Sequence, residues 1–146
     1  MRSAARAIWQ FLNHRIVLRI IGIGIGGMFI YASYDKIIHP DRFADIVNDY
    51  QMLPLVFINA FGLAMPWMEL TAGVALVLGF WRRAAGLAFT ALTLAFIIAV
   101  GQAQIRGLDI VCGCFDVSGM SGGASWEHFA LDIGLLLACI LVWRRA

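Results

Sequence analysis

Four long apolar stretches dominate the chain, and its polar positions cluster between them. They cover residues 16–34, 55–80, 84–103 and 126–143. A helix needs roughly 20 mostly apolar residues to cross a bilayer, and each stretch meets or approaches that length. The pattern predicts an all-α membrane protein, a bundle of four transmembrane helices forming a single domain. Arg19 stands near one end of the first span, where a long side chain can snorkel to the surface. Pro66 is expected to interrupt the second. The turn between spans two and three is short, so these two form an antiparallel hairpin. The longer connectors, 35–54 and 104–125, fall together on the side opposite the termini.

The connector 35–54 has a helical period of its own. Pro40 suits a first helical turn and Asp41 follows it, while Phe43, Ile46, Val47 and Tyr50 recur at helical spacing. The reading is a short helix lying on the outer surface as a lid. Ile8, Trp9, Phe11 and Leu12, mixed with Arg2, Arg6 and Arg15, suggest either an amphipathic lead-in on the inner surface or a frayed tail. No small-x-small cleavage site follows the first span; Tyr31, Tyr34 and Asp35 stand there, so the span reads as an uncleaved anchor.

Composition agrees with this pattern. Hydrophobic residues make up 62% of the 146 and charged ones 14%, too little charge to cover a soluble domain. The formal net charge of +2 gives no argument for nucleic acid. Its distribution is more informative. Arg2, Arg6, Arg15, Arg19, Arg82, Arg83, Arg144 and Arg145 share one side without an acid. Lys36, Arg42 and Arg106 share the other with seven acids. Basic residues favour the cytoplasmic side, so both termini are expected in the cytoplasm and the long connectors in the periplasm of a bacterial inner membrane. Trp81, Trp126 and Trp143 stand at span ends, as interfacial aromatics do. In the first span, Gly22 and Gly26 form a small-xxx-small face for close helix packing.

The candidate chemistry lies in and beside the second long connector. Cys112 and Cys114 flank Gly113, which tolerates the tight backbone that a bond between them needs. Such a strained ring exchanges easily, and the periplasm permits disulfides. A redox-active pair is the leading reading. A soft-metal site with His128 is an alternative whose fourth ligand is not evident, and no metal is expected. Cys139 lies about 20 Å along the last span at 1.5 Å per residue, and reads as a small buried hydrophobe. Two acids stand within spans, where ionisable groups are costly and point to function or a buried partner. One is Glu69, three residues after Pro66; a neutral Glu69 bonded to backbone freed by that proline is its structural alternative. The other is Asp132, one turn after His128, so the pair can relay protons or simply face each other on the helix surface. Asp35 and Lys36 are candidate partners for either acid.

Together, Tyr50-x-x-Leu53-Pro54, Pro66-x-x-Glu69-x-x-x-Gly73 and Cys112-Gly113-Cys114-Phe115 resemble the DoxX-like membrane proteins, and among them the MauE (methylamine-utilisation) branch. The likeness covers about residues 20–141. It implies a four-helix bundle and a role in periplasmic thiol–disulfide chemistry that matures a disulfide-rich partner. Asp116 departs from the branch, which usually has glycine there; a negative charge beside a thiol raises its pKa. The layout is also similar to that of the quinone-linked vitamin K epoxide reductase proteins, whose helical Cys-x-x-Cys this chain lacks. These likenesses suggest a membrane thiol–disulfide oxidoreductase in which Cys112 and Cys114 exchange with a thioredoxin-like or disulfide-containing periplasmic protein. A quinone would sit near Glu69 and Trp67, and His128 and Asp132 would handle protons. The rival readings are a non-catalytic scaffold or maturation chaperone, and a small carrier or metal-handling protein that would need to form a homo-oligomer.

Overall fold

The computed structural model describes residues 15–108 and 126–145, with side chains in the last helix from residue 129 onward. Five helices make up the described chain: α1 (Arg15–Ile38), α2 (Pro40–Asp49), α3 (Leu55–Leu78), α4 (Arg82–Ile105) and α5 (Trp126–Arg145). Helices α1, α3 and α4 have 24 residues each and are long and apolar enough to cross a membrane. At 1.5 Å per residue each extends about 36 Å, beyond the roughly 30 Å hydrocarbon core. Large apolar side chains remain exposed along them, Ile20, Leu63, Met68 and Ile98 among them. A soluble fold would bury such residues. A membrane protein turns them to lipid.

The helix boundaries correct the sequence reading in two places. Helix α1 runs four residues past 34, through Asp35 and Lys36. Helix α3 is not broken at Pro66 but continues to Leu78, with Pro66 wholly buried inside it. A proline cannot bond the carbonyl four residues back. That carbonyl belongs to Gly62, which lies against Ala44 of α2. Helix α2 thus packs on α3 at the level of the lost bond, and neighbouring helices accommodate prolines in membrane helices. At its far end α3 is stopped by Gly79, whose φ of 80° is left-handed.

Helix α1 packs most extensively on α3, and α4 on α5, while α3 and α4 touch less. Glycines set the first contact. A Cβ on Gly26 would lie 2.8 Å from the Gly73 carbonyl oxygen, and one on Gly73 would lie 3.0 Å from that of Gly26. The two backbones therefore meet directly. Gly22, expected beside Gly26, makes only an ordinary approach to Leu76, at 3.6 Å.

Two apolar clusters fill the bundle. One joins Ile25, Phe29, Leu76, Phe89, Cys139 and Val142, with the Phe29 and Phe89 rings stacked 4.0 Å apart. The other joins Phe43, Ile46, Tyr50, Val100 and Ala103. In the second, α2 turns its apolar face inward and leaves Asp41, Asp45 and Asp49 exposed. The lid expected from the sequence is thus a helix that starts at Pro40 and packs chiefly on α3.

Candidate functional site

A cavity of about 340 Å³ lies between the two clusters, bordered by Phe29 of the first and by Phe43, Ile46 and Tyr50 of the second. Its walls are largely aromatic and aliphatic, with Phe61 and Met65 from α3 and Leu92 and Phe96 from α4. Four polar side chains interrupt this lining, and each is nearly inaccessible: Lys36, Glu69, Thr93 and Asp132.

Lys36 and Glu69 form a two-pronged ion pair. The Lys36 Nζ donates to Glu69 Oε1 at 3.0 Å and to Oε2 at 2.9 Å. Both side chains are 3% exposed. This answers the question that the sequence left open, whether Lys36 or a freed backbone group partners Glu69. Helical geometry explains the pairing. Side chains lean toward a helix's N-terminus, so Lys36 leans back along α1 toward the level of Glu69 on antiparallel α3. Its amine also lies 5.2 Å from the centre of the Phe43 ring, within cation–π range. One ammonium therefore ties α1, α2 and α3 together. Removing one partner of such a pair would leave a buried charge uncompensated.

Asp132 enters the cavity from α5, and Tyr50 from the end of α2. The Tyr50 ring meets Phe96 edge to face with centroids 6.4 Å apart. Burial first, and the charge of Asp132 second, hold the Tyr50 hydroxyl well above its usual ionisation range. Thr93 is distinctive among the three threonines. Thr71 and Thr90 each satisfy their hydroxyls on the carbonyl four residues back, at 2.9 Å and 2.7 Å. The Thr93 hydroxyl does not, and apart from the weak thiol of Cys139 no described group partners it.

Of the residues singled out in the sequence, Glu69 and Asp132 meet at this cavity. Trp67 does not border it. Two positions from Glu69 on a helix lies about 200° around the axis, and Trp67 is 52% exposed on the outside. His128 falls within α5, but its side chain lies outside the described residues, as do Cys112 and Cys114 altogether. Cys139 is a buried core residue, as expected. Sequence reasoning missed Thr93, Phe43 and the site role of Tyr50. It named Lys36 as a candidate partner for either acid, and a further signal was open to it: this is the single lysine in a chain with ten arginines.

The helices and cavity define a polytopic helical membrane protein built around a buried ion pair. Residues 14–145 match the family described as methylamine utilisation protein MauE, and the chain belongs to that family. It is 36% identical over 114 residues to the methylamine utilization protein MauE of Methylorubrum extorquens, a match covering 77% of this chain and 61% of the relative. With the protein of the same name from Paracoccus denitrificans, identity is 31% over 118 residues, covering 80% and 63%. For that of Methylophilus methylotrophus it is 32% over 106 residues, covering 72% and 56%. The matched region spans about three fifths of the length of these relatives. No solved structure matches the chain.

Proposed function

We propose that the chain is an accessory membrane protein of methylamine utilisation that carries out thiol–disulfide exchange for a periplasmic partner. In this reading α5 is the fourth crossing; its 20 residues extend about 30 Å. The protein lies in the bacterial inner membrane with both termini in the cytoplasm, as its arginines direct. The connector with Cys112 and Cys114 then faces the periplasm.

A partner thiolate attacks the Cys112–Cys114 disulfide, forming a mixed disulfide and releasing one thiolate. The partner's second thiolate displaces the other, leaving the partner oxidised and the pair reduced. A quinone, when bound, would accept the two electrons and two protons that reoxidation of the pair releases, and His128 and Asp132 would handle the protons.

One observation supports this reading beyond family membership. Glu69 and Asp132, acids assigned to the cofactor and to protons on sequence grounds, border the same apolar cavity. An electron acceptor soluble in lipid needs such a place. The test is differential alkylation and mass spectrometry of the protein in native membranes. A Cys112–Cys114 bond that appears and disappears with the ambient redox poise is expected. Thiols that stay reduced at every poise would refute the exchange. Replacing both cysteines with serine separates the scaffold reading, because a scaffold would still mature its partner.

A further inference from the structure

The cavity has a distinctive chemical character. Its lining is apolar and rich in flat rings, yet Lys36, Glu69, Asp132 and Thr93 all border it. Four of its wall residues are exposed: Met52 and Leu53 in the connector before α3, Phe61 on α3 and Ala95 on α4. Both helices are long and apolar enough to span a membrane, and they pack on each other less closely than α1 does on α3. Among the described residues, the cavity therefore reaches the surface at the connector before α3 and, between α3 and α4, toward the region that lipid chains occupy.

These features select among ligands. An anionic headgroup would meet two carboxylates against one amine already neutralised by Glu69. An acyl chain would set hydrocarbon against four polar side chains and satisfy none of them. An uncharged ring with oxygens at its edge fits both parts: its faces match the aromatic walls and its oxygens meet the polar groups. The Thr93 hydroxyl supplies the second, independent observation. It is 4% exposed, it borders the cavity, and it forgoes the carbonyl bond that Thr71 and Thr90 make. Buried hydroxyls are seldom left without a full partner.

We propose that this cavity binds a quinone, admitted from the bilayer between α3 and α4, with the Thr93 hydroxyl donating to one ring oxygen. The volume suits the site, since pockets for compact ligands begin at about 300 Å³. The inference rests on the redox reading above and gives its quinone a hydrogen-bond donor and an entry path.

The test is titration calorimetry of the purified full chain in nanodiscs with decylubiquinone. Saturable binding to one site is expected. Thr93→Val, which keeps the shape and removes the hydroxyl, should weaken binding about tenfold, the equivalent of one hydrogen bond. Thr93→Ser should restore most of it. Ala95→Phe, at an exposed position that folding tolerates, should abolish binding by filling the opening. The proposal is overturned if wild type does not bind decylubiquinone, or if both Thr93→Val and Ala95→Phe bind as wild type does. It is also overturned if decyltrimethylammonium saturates the site and decylubiquinone does not, which would make this a site for cations. Cys112→Ser/Cys114→Ser should bind like wild type. Binding with thiols that never oxidise would leave the cavity assignment standing and remove the redox one. Thiol cycling without quinone binding would do the reverse.

Discussion

The Lys36 ammonium holds both carboxylate oxygens of Glu69, at 2.9 Å and 3.0 Å, across 33 positions of sequence. It joins the end of α1 to the middle of α3. Ion pairs of this kind offset their desolvation only when both members are present. Glu69→Gln should therefore destabilise the protein by about 3–5 kcal/mol, and Lys36→Met by a similar amount. Combining Lys36→Met with Glu69→Leu should recover most of the loss, because no uncompensated charge remains. Denaturant unfolding in micelles, arranged as a double-mutant cycle, measures this coupling. Additive losses would mean that the two residues stabilise the bundle independently.

The contact between Gly26 and Gly73 predicts a sharp asymmetry within α1. Gly26→Ala would place a methyl 2.8 Å from the Gly73 carbonyl oxygen, and overpacking of that kind costs about 1–3 kcal/mol. Gly24→Ala meets nothing within 4 Å. It should be neutral, or stabilising by up to about 1 kcal/mol from helix propensity. Both variants can be compared by thermal unfolding in the same detergent.

Hydropathy made the long helices legible but not the end of α1, for an identifiable reason. Tyr34, Asp35 and Lys36 look like the edge of a membrane segment. The helix nevertheless continues, because Lys36 turns inward to Glu69 instead of outward to water. Pro66 looked like a break because the helix rule for proline is local, whereas the packing of Gly62 on Ala44 that accommodates it is tertiary. Of the cavity's polar groups, Glu69 and Asp132 were visible as acids in apolar surroundings. Thr93 was not. A threonine inside a helix ordinarily bonds its own backbone, and only the folded geometry shows that this one does not.

Cys139 is 1% exposed between α4 and α1, within the cluster that holds Phe29 and Phe89. A thiol so placed is inert toward reagents that need access. In the Cys112→Ser/Cys114→Ser protein it is the one thiol left, so its labelling can be followed alone. A membrane-permeant maleimide should leave it unmodified in the folded protein and modify it fully on denaturation. Rapid labelling in the fold would show that this cluster opens, contrary to its close packing.

Tyr50 links α2 to the cavity, and its ionisation should report on that link. Burial and the neighbouring charge of Asp132 raise its pKa above the ordinary tyrosine value of 10.0. The folded state therefore keeps the proton that the unfolded state gives up. The stability from this group is fully present below pH 10 and is lost as pH rises beyond it. Tyr50→Phe removes the ionisation but keeps the ring against Phe96. Wild type should therefore lose stability with rising pH above 10 more steeply than Tyr50→Phe, while below that pH the difference between them should stay constant. Unfolding measured at a series of pH values gives both curves. Parallel curves above pH 10 would mean that the Tyr50 hydroxyl reaches solvent and that α2 does not seal this end of the cavity.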